Sequence, residues 1–416
     1  MKVGNRMKGG RREDRIQARF ERMVARVNKL EAENRRLKEV LIHAGIDEWH
    51  VPDPLLQKRF DDIIDKVMAF NPSNYASSRN YTNGDVSRLS PYISRGVIST
   101  KYVYETLIKR GFKPGGMFKF IQELAWRDYW QQVWIHKKND INQDLKHQQE
   151  PIVGYGIPAA LNERTTGILA IDAAITKLVS SGYIHNHLRM YMASLTCNIA
   201  NHHWKEPARW MYYHLLDGDW ASNALSWQWV AGANSNKKYY ANQENINTYC
   251  NTSETGTYLD VPYDNFQDFD IPKELLASEH LNLVTPLPQS SINKINTHLP
   301  TLIYNSYNLD PFWRNDIEAN RILLLEPSHF NQYPVSEHVI NFILGLSNNI
   351  LNIQLFVGEF NELKANYNLK TVYFKEHPLN EHYQGTCDQR DWMFNVEGYY
   401  PSFFAFWKKC KKQIIF

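Results

Sequence analysis

Cysteine is scarce in this chain, and its four cysteines form no metal-binding pattern. They lie far apart in the 416 residues, with no CxxC pair, at Cys197, Cys250, Cys387 and Cys410. This spacing argues against a structural zinc site and against an iron–sulfur cluster. Reduced thiols in the cytosol are the simplest interpretation, and we expect no bound metal.

Long apolar runs and a strong charge of one sign are also missing. No stretch approaches the roughly 18 apolar residues of a membrane span, and the basic start has no apolar signal core. We therefore expect a cytoplasmic protein without a membrane partner. The net charge of +3 does not by itself indicate a nucleic-acid binder. With 43% hydrophobic and 22% charged residues, the composition is that of a folded protein.

The first 50 residues predict a basic segment followed by a coiled-coil helix. Residues 1–15 are basic, and from Ile16 the core positions alternate in steps of four and three residues. One of these positions is Asn34, where a buried amide typically fixes the register of a parallel dimer. We expect a homodimer through residues 16–44. The alternative is an amphipathic helix packed on its own globular body.

The remaining chain predicts a multidomain protein with a helical part and an α/β part, since 416 residues exceed one compact core. Residues 51–260 have mostly helical periodicity, and residues 261–298, rich in Asn, Thr, Pro and Asp, predict a linker. Residues 299–416 alternate short apolar runs with helical segments, which predicts a small parallel, Rossmann-like α/β domain. That domain has no GxGxxG or P-loop motif, so no nucleotide site is predicted there.

Tryptophan is concentrated in one stretch of the helical part. Five of the 12 tryptophans fall between Trp204 and Trp229, around Asp217, Asp219 and Asn223. Such rings are usually core, because burying them removes a large apolar area from water. Acidic groups, an amide and flat rings in one segment also suit a flat, redox-active ligand.

Three other segments place polar groups among aromatic residues. Ser87 and Ser90 precede a predicted helix, whose N-terminus would suit a phosphate or an ordinary N-cap. Glu123, Trp126 and Arg127 lie within one helical turn, where they would line a pocket or form a solvated, salt-bridged face. Asn186 and Arg189 lie three residues apart in the third segment. A metal site at His185, His187, His202 and His203 is not expected, because their spacing fits no metal motif.

Taken in order, these segments resemble the FAD-binding domain of the DNA photolyase and cryptochrome family. The motifs are SRLSPY from Ser87, ELAWR from Glu123, HNHLRM from His185, and DGD from Asp217 continuing through Asn223 to WQW at Trp227. The resemblance covers roughly residues 55–250. It implies an FAD held within the helical domain, and the antenna chromophore that family members may carry is left open.

The resemblance also implies roles for individual residues. The phosphates of FAD would be held by Tyr75, Ser87, Leu89 and Ser90. Its isoalloxazine and ribose would be surrounded by Asn186, Arg189, Asp217 and Asp219, with Asn223 at flavin N5, as in photolyases. A flipped pyrimidine dimer would be received by Glu123, Trp126 and Trp229. Further DNA contacts would come from Arg79, Arg127, Lys237 and Lys238.

Several positions depart from the family pattern. Trp227 and Trp204 correspond to the two inner members of the usual electron-transfer chain, but its outer position is Leu161. Electron transfer between the flavin and the surface would then use Trp210 or Tyr212 instead. His187 replaces a DNA-contacting Arg, and only Cys250 remains of the cysteines of the iron–sulfur branch. The α/β part follows the helical part here, whereas in photolyases it comes first.

The resemblance implies blue-light-driven repair of pyrimidine dimers in DNA, in which excited reduced flavin gives an electron to the dimer and recovers it after the ring opens. The alternative is a cryptochrome-like photoreceptor that signals through the N-terminal coiled coil without repair. A flavin-binding relic with a structural role is a third interpretation. The sequence leaves open whether the lesion is a cyclobutane or a (6-4) product, and whether the DNA is single- or double-stranded.

Overall fold

A computed structural model describes residues 58–415, without the side chains of residues 267 and 268. The described residues belong to one compact unit. The predicted basic segment, coiled coil and dimer contact through residues 16–44 lie outside the described residues.

The first half of the described chain is helical. Eleven α-helices follow one another between Phe60 and Cys250, and we number them in chain order. They are α1 Phe60–Ala69, α2 Tyr75–Ser78, α3 Ser90–Ser94, α4 Thr100–Lys109, α5 Phe118–Lys137, α6 Ala159–Glu163, α7 Leu169–Ser181, α8 Asn186–Ser194, α9 Lys205–His214, α10 Trp220–Ala231 and α11 Gln243–Cys250. A π-helical segment, Leu195–Ile199, continues α8.

Helix α10 illustrates how the local sequence sets these boundaries. Asp219 precedes the helix, and its Oδ1 accepts a hydrogen bond of 2.7 Å from the amide of Ser222, which satisfies one free N–H of the first turn. Gly232 ends the helix with φ +85°, a left-handed conformation that glycine adopts without steric cost. Nine of the twelve helical residues are buried, so α10 lies in the centre of the helical part.

The second half is an α/β structure. Its five strands form one parallel sheet in the order β5-β4-β3-β6-β7, which is the 3-2-1-4-5 order of doubly wound folds. The strands are β3 Thr301–Tyr304, β4 Asn320–Leu325, β5 Ile353–Val357, β6 Val372–Lys375 and β7 Thr386–Asp388. The helices of this part are α12 Pro327–Gln332, α13 Glu337–Ser347, α14 Phe360–Asn366 and α15 Phe403–Cys410.

Alternate residues of the central strands enter two different cores. Leu302 and Tyr304 belong to the large core that also contains the buried residues of the helical part, whereas Ile303 packs with Phe360 and Leu363 of α14. This follows from the two-residue period of a strand, which points successive side chains to opposite faces. One face of the sheet therefore packs on the helical part.

Two further segments connect the parts. The predicted linker contains the short strand β2 Ser278–Glu279, which pairs antiparallel with β1 Ile157–Pro158 of the helical part. At the end of the chain, the segment after β7 runs back to α5, where the amide of Met393 donates to Asp128 Oδ2 at 3.1 Å.

The predicted combination of helical and α/β structure is confirmed. Helix α5 lies within residues 51–260, where helical periodicity was predicted, and strands β3 to β6 lie within residues 299–416, where short apolar runs were predicted. Strand β7 and helices α12 and α14 were not predicted. The domain boundaries at residues 260 and 298 stay predictions. Within residues 58–415, no helix has the length and apolarity of a membrane span.

Candidate functional site

The acidic pair of the tryptophan-rich stretch lies at the turn between α9 and α10. Gly218, between the two carboxylates, is tightly packed, because a Cβ there would lie 3.0 Å from the carbonyl oxygen of Leu215 and 3.2 Å from the ring of Tyr212. Asp219 is buried, caps α10 and accepts a 2.5 Å hydrogen bond from Nε2 of Gln131 on α5. The turn thus fixes both carboxylates.

Asp217 forms a buried ion pair with Arg189 of α8. Its carboxylate accepts hydrogen bonds of 2.8 and 3.0 Å from Arg189 Nη2, which also donates to the carbonyl oxygen of Ile184 at 3.0 Å. Burial alone would raise the pKa of Asp217, but the charge and hydrogen bond of Arg189, with a hydrogen bond from Ser90, outweigh it and lower that pKa. The carboxylate is therefore ionised at neutral pH.

The residues around helix α3 join the same network. Ser90 contributes to lowering the pKa of Asp217, and Ser94 Oγ donates to the carbonyl oxygen of Asp217 at 2.7 Å. Arg127 of α5 in turn donates to Ser94 Oγ. Elements predicted to bind the phosphates and the flavin ring therefore meet at Asp217.

The other residues of the SRLSPY motif lie just before α3. Ser87 Oγ accepts the amide of Leu89 at 3.3 Å, so this hydroxyl forms a turn within the motif, and the Leu89 side chain is buried. Tyr75 of α2 packs edge-on against Phe120 at 5.0 Å, and burial, followed by the charge of Glu123, raises its pKa. Asn186 is exposed at the first position of α8.

Glu123 has two cationic neighbours. Its Oε1 lies 2.9 Å from Lys119 Nζ on the preceding turn of α5 and 3.6 Å from Arg79 Nη1. The salt-bridged face that the sequence left as an alternative is therefore present. It also places Arg79, Glu123 and Tyr75 in one neighbourhood.

Trp126 is covered on one face. The ring of Phe403 from α15 stacks on it with centroids 3.7 Å apart and planes at 10°. Phe403 is only 2% exposed, whereas Trp126 is partly exposed, so Phe403 supports the inner face of the indole. Trp229, the second ring predicted to meet the lesion, is 38% exposed and lies 6.2 Å from Tyr239.

Asn223 and the two inner tryptophans are buried. Asn223 Nδ2 donates to the carbonyl oxygen of Ala208 at 2.8 Å, which fixes the amide against α9. Trp227 is 2% exposed, and Trp204 is fully buried with its indole N–H donated to Asp144 Oδ1 at 2.7 Å.

A run of rings from Trp204 to the surface was missed by sequence reasoning. His203 lies 5.6 Å from Trp204, and Tyr155, 65% exposed, lies 5.4 Å from His203. Leu161, at the usual outer position, is an apolar core residue. No motif marks Tyr155, because its contact joins segments far apart in sequence.

The alternative electron-transfer routes predicted through Trp210 and Tyr212 lead to side chains that are less exposed than Tyr155. Trp210 is buried against His214 at 5.5 Å, and the Tyr212 hydroxyl is hydrogen-bonded to that of Tyr307 at 2.8 Å. Neither side chain is more than 1% exposed.

Two buried polar atoms in this region have no hydrogen-bond partner within residues 58–415. They are Nε2 of His185, four residues before Arg189, and Oγ of Ser222, the residue before Asn223. A buried donor or acceptor without a partner is costly, so each such atom calls for a ligand or water. Together with the ionised Asp217 and the polar atoms of Ser90, they fit a polar cofactor such as FAD.

The remaining predicted DNA contacts lie on the loop after α10. Lys237 is exposed, while Lys238 is half-buried and its pKa is lowered by burial. His187 Nδ1 lies 2.9 Å from the carbonyl oxygen of Asn80, and burial lowers its pKa. In the described part of the chain, no three His, Cys, Asp or Glu side chains are grouped to hold a metal ion, and the four cysteines are free thiols.

Asp128 anchors the C-terminal segment to α5 and controls a pH-dependent contribution to stability. Burial raises its pKa to about 6, despite hydrogen bonds from Met393 and Thr100. Because the folded-state pKa exceeds the unfolded value, the protonated group's stabilisation is complete below about pH 4 and is lost as the pH rises through 6. Between pH 4 and 7 we expect the wild type to lose about 2–3 kcal/mol of stability relative to Asp128→Asn, whose side chain does not titrate.

Urea unfolding of both proteins from pH 4 to 7 measures this effect. The difference in unfolding free energy should grow with pH in favour of Asp128→Asn and level off above the folded-state pKa. A difference that is constant over this range would contradict the assigned shift.

Comparison with known proteins covers the helical part. The FAD binding domain of DNA photolyase matches residues 120–261. The chain is 32% identical over 170 residues to a deoxyribodipyrimidine photo-lyase of Streptomyces griseus, covering 40% of this chain and 36% of that protein. It is 28% identical over 223 residues to the deoxyribodipyrimidine photo-lyase of Halobacterium salinarum, covering 50% of this chain and 45% of that protein. The chain thus spans less than half the length of these relatives.

Solved structures give weaker similarities to the same family. A cryptochrome from Synechocystis is 21% identical with a TM-score of 0.43, covering 48% of this chain and 45% of that one. A class III photolyase from Agrobacterium tumefaciens is 25% identical with a TM-score of 0.36, covering 42% of this chain and 38% of that one. The sequence match over residues 120–261 and the photolyase relatives carry the assignment. The helical part of this chain therefore belongs to the DNA photolyase and cryptochrome family.

Proposed function

We propose that this protein binds FAD in its helical part and repairs pyrimidine dimers in DNA under blue light. The observation that carries the proposal is that residues from separate motifs meet at the buried Asp217. Arg189 and Ser90 interact with its carboxylate, and Ser94 donates to its carbonyl oxygen. Arg127 joins this network by donating to the hydroxyl of Ser94. The match of residues 120–261 to the FAD binding domain of DNA photolyase supports it.

The cofactor would be held by groups on four helices. Asp217 and Arg189 would bind polar atoms of the flavin and ribose, and Tyr75, Ser87, Leu89 and Ser90 would hold the phosphates. The remaining polar contacts would come from Asn186, Asp219 and, at flavin N5, Asn223. FAD, when bound, supplies a light-driven electron for opening the dimer. The protein orients donor and acceptor and excludes competing reactions.

The lesion would be received outside the DNA stack. Photolyases act on a flipped base, which requires flat rings for stacking and polar groups for its edge. Trp126, supported from behind by Phe403, and the exposed Trp229 offer rings, and Glu123 offers a carboxylate beside Arg79. Arg127, Lys237 and Lys238 add positive charge for the phosphates.

Electrons to reduce the cofactor would pass along Trp227 and Trp204. Asp144 accepts the indole proton of Trp204 in a hydrogen bond and is held ionised, since hydrogen bonds from His203, Gln149 and Trp204 outweigh its burial and lower its pKa. His203 and the exposed Tyr155 continue this route to the surface.

A cryptochrome-like photoreceptor is the second candidate. The two observations that favour it are His187, which stands in place of a DNA-contacting Arg and lies 2.9 Å from the carbonyl oxygen of Asn80, and the buried Leu161 at the usual outer electron-transfer position. Signalling would then use the predicted dimer through residues 16–44.

Repair is tested with the purified, reduced protein and an oligonucleotide carrying one cyclobutane dimer, under blue light and in the dark, with a (6-4) substrate in parallel. We expect light-dependent loss of one lesion. Trp229→Leu should bind the lesion about 10- to 100-fold more weakly, because stacking on an aromatic side chain contributes about 1–3 kcal/mol per base. Phe312→Leu, at another exposed aromatic residue, is the matched control.

A flavin-loaded wild type that removes neither lesion in light would overturn the repair proposal and favour the photoreceptor. Equal lesion affinity of Trp229→Leu and the wild type would remove Trp229 from the site.

A further inference from the structure

Residues 390–410 line the same helix that carries Glu123, Trp126 and Arg127. They contact α5 at four positions between Trp126 and Gln131. The contacts are Arg390 to Gln131 at 2.5 Å, Met393 to Asp128 at 3.1 Å, Tyr129 to Tyr400 at 3.2 Å, and Phe403 stacked on Trp126. Helix α15 is therefore fixed beside Trp126.

Helix α15 has one buried and one exposed face. The buried face carries Phe403, Phe406, Trp407 and Cys410. The exposed face carries Phe404, which is 68% exposed, and Lys408 one turn later. Residues four apart on a helix lie on the same side, so Phe404 and Lys408 share one side of α15. The exposed Lys412 continues this row in the 3-10 turn Lys411–Gln413 that follows the helix.

This row is strongly basic. Residues 398–416 contain four lysines and no Asp, Glu or Arg, so this short segment carries more positive charge than the net +3 of the whole chain. Within residues 58–415, no carboxylate forms an ion pair with Lys408 or Lys412. An uncompensated row of lysines beside an exposed ring is the chemistry that binds a nucleic-acid strand.

We propose that the outer face of α15, with Phe404 and Lys408, together with Lys412 of the turn that follows it, binds the DNA strand next to the base seated on Trp126. The lysines contact backbone phosphates, and Phe404 offers a ring on which an unpaired base stacks. This inference rests on the proposed function, because it takes Trp126 as the place where the lesion binds. It gives the C-terminal segment a binding role in addition to its packing on α5.

The distance of this surface from the lesion is set by direct contacts. Phe404 lies 5.6 Å from Phe403, which in turn lies 3.7 Å from Trp126. The row of lysines starts one turn beyond Phe404. A strand leaving the lesion site in this direction passes over α15 within a few nucleotides.

Binding of fluorescent oligonucleotides in the dark, with and without one dimer, tests the proposal on the full chain. We expect Lys408→Ala combined with Lys412→Ala to weaken binding of both oligonucleotides about 10- to 100-fold at 0.1 M salt. The slope of log affinity against log salt should fall by about 2, since two phosphate contacts are lost. The ratio of the two affinities should not change, because phosphate contacts carry no lesion specificity.

The control removes two other exposed lysines, Lys109→Ala with Lys370→Ala, and should leave affinity and salt slope unchanged. If the wild type binds lesion DNA and repairs it while the α15 variant shows the same affinity and salt slope, α15 is not part of the DNA surface. If the wild type itself shows no preference for lesion DNA and no repair, it is the proposed function that fails.

Discussion

Arg189→Leu is expected to be purified with less than about a tenth of the wild-type flavin content. In the wild type, Arg189 neutralises the 6% exposed Asp217 through two hydrogen bonds. Removing one partner of a buried ion pair leaves an uncompensated charge, which costs about 3–5 kcal/mol. The variant either unfolds locally around α8 or protonates Asp217, and both disturb the proposed cofactor site. Flavin absorption relative to protein absorption measures the effect.

The double variant Arg189→Leu with Asp217→Leu separates stability from cofactor binding. Replacing both charges by apolar groups should recover part of the lost unfolding free energy, because a buried ion pair and a hydrophobic pair are often of similar stability. The flavin should stay absent, since both proposed polar contacts are gone. A flavin-loaded Arg189→Leu variant of wild-type stability would show that this pair lies outside the cofactor site.

Much of the helical part was predictable because its signals are local. Helix α5 shows mixed apolar and polar periodicity over 20 residues, and α10 is bounded by an acidic N-cap and a glycine, all of which a sequence displays directly. The strands β3 to β6 appear as short apolar runs because both faces of a covered parallel sheet are buried. Strand β7 was missed because its three residues are polar and partly exposed.

The motifs predicted which residues meet around Asp217, but not the contacts that distant segments bring to them. Phe403 reaches Trp126, and Tyr155 reaches Trp204 through His203, across long sequence separations. Periodicity gives the faces of single elements and says nothing about which faces pack together. Similarly, the ion pair of Glu123 with Arg79 depends on where α2 packs against α5, which no local pattern encodes.

The helical and α/β parts approach each other closely at Gly96. This residue has φ +63°, and a Cβ there would overlap the carbonyl oxygen of Tyr307, in the loop after β3, and lie 3.0 Å from Cα of Asn308. The neighbouring backbone joins the same loop, because the amide of Leu309 donates to the carbonyl oxygen of Arg95 at 2.9 Å. Gly96 therefore sets how closely the sheet packs on the helical part.

Gly96→Ala is expected to lower the unfolding free energy by about 4 kcal/mol or more. About 1 kcal/mol comes from placing a side chain in a left-handed conformation. The rest comes from pushing the loop after β3 away from Gly96, because the overlapping atoms are backbone and cannot rotate aside. Chemical denaturation measures the loss. Since Ser94 and Arg95 lie on the same turn and bind the backbone of residues 215–217, flavin content should fall as well.

Gly256→Ala is the matched control for this prediction. Gly256 has φ +71°, almost the same backbone conformation, but nothing lies within 4 Å of the position that its Cβ would take. This variant should lose only the conformational contribution of about 1 kcal/mol and keep its flavin. The difference between the two variants is thus the steric cost of a Cβ against the loop after β3. Equal destabilisation of the two variants would mean that this loop accommodates the extra methyl group without loss of stability.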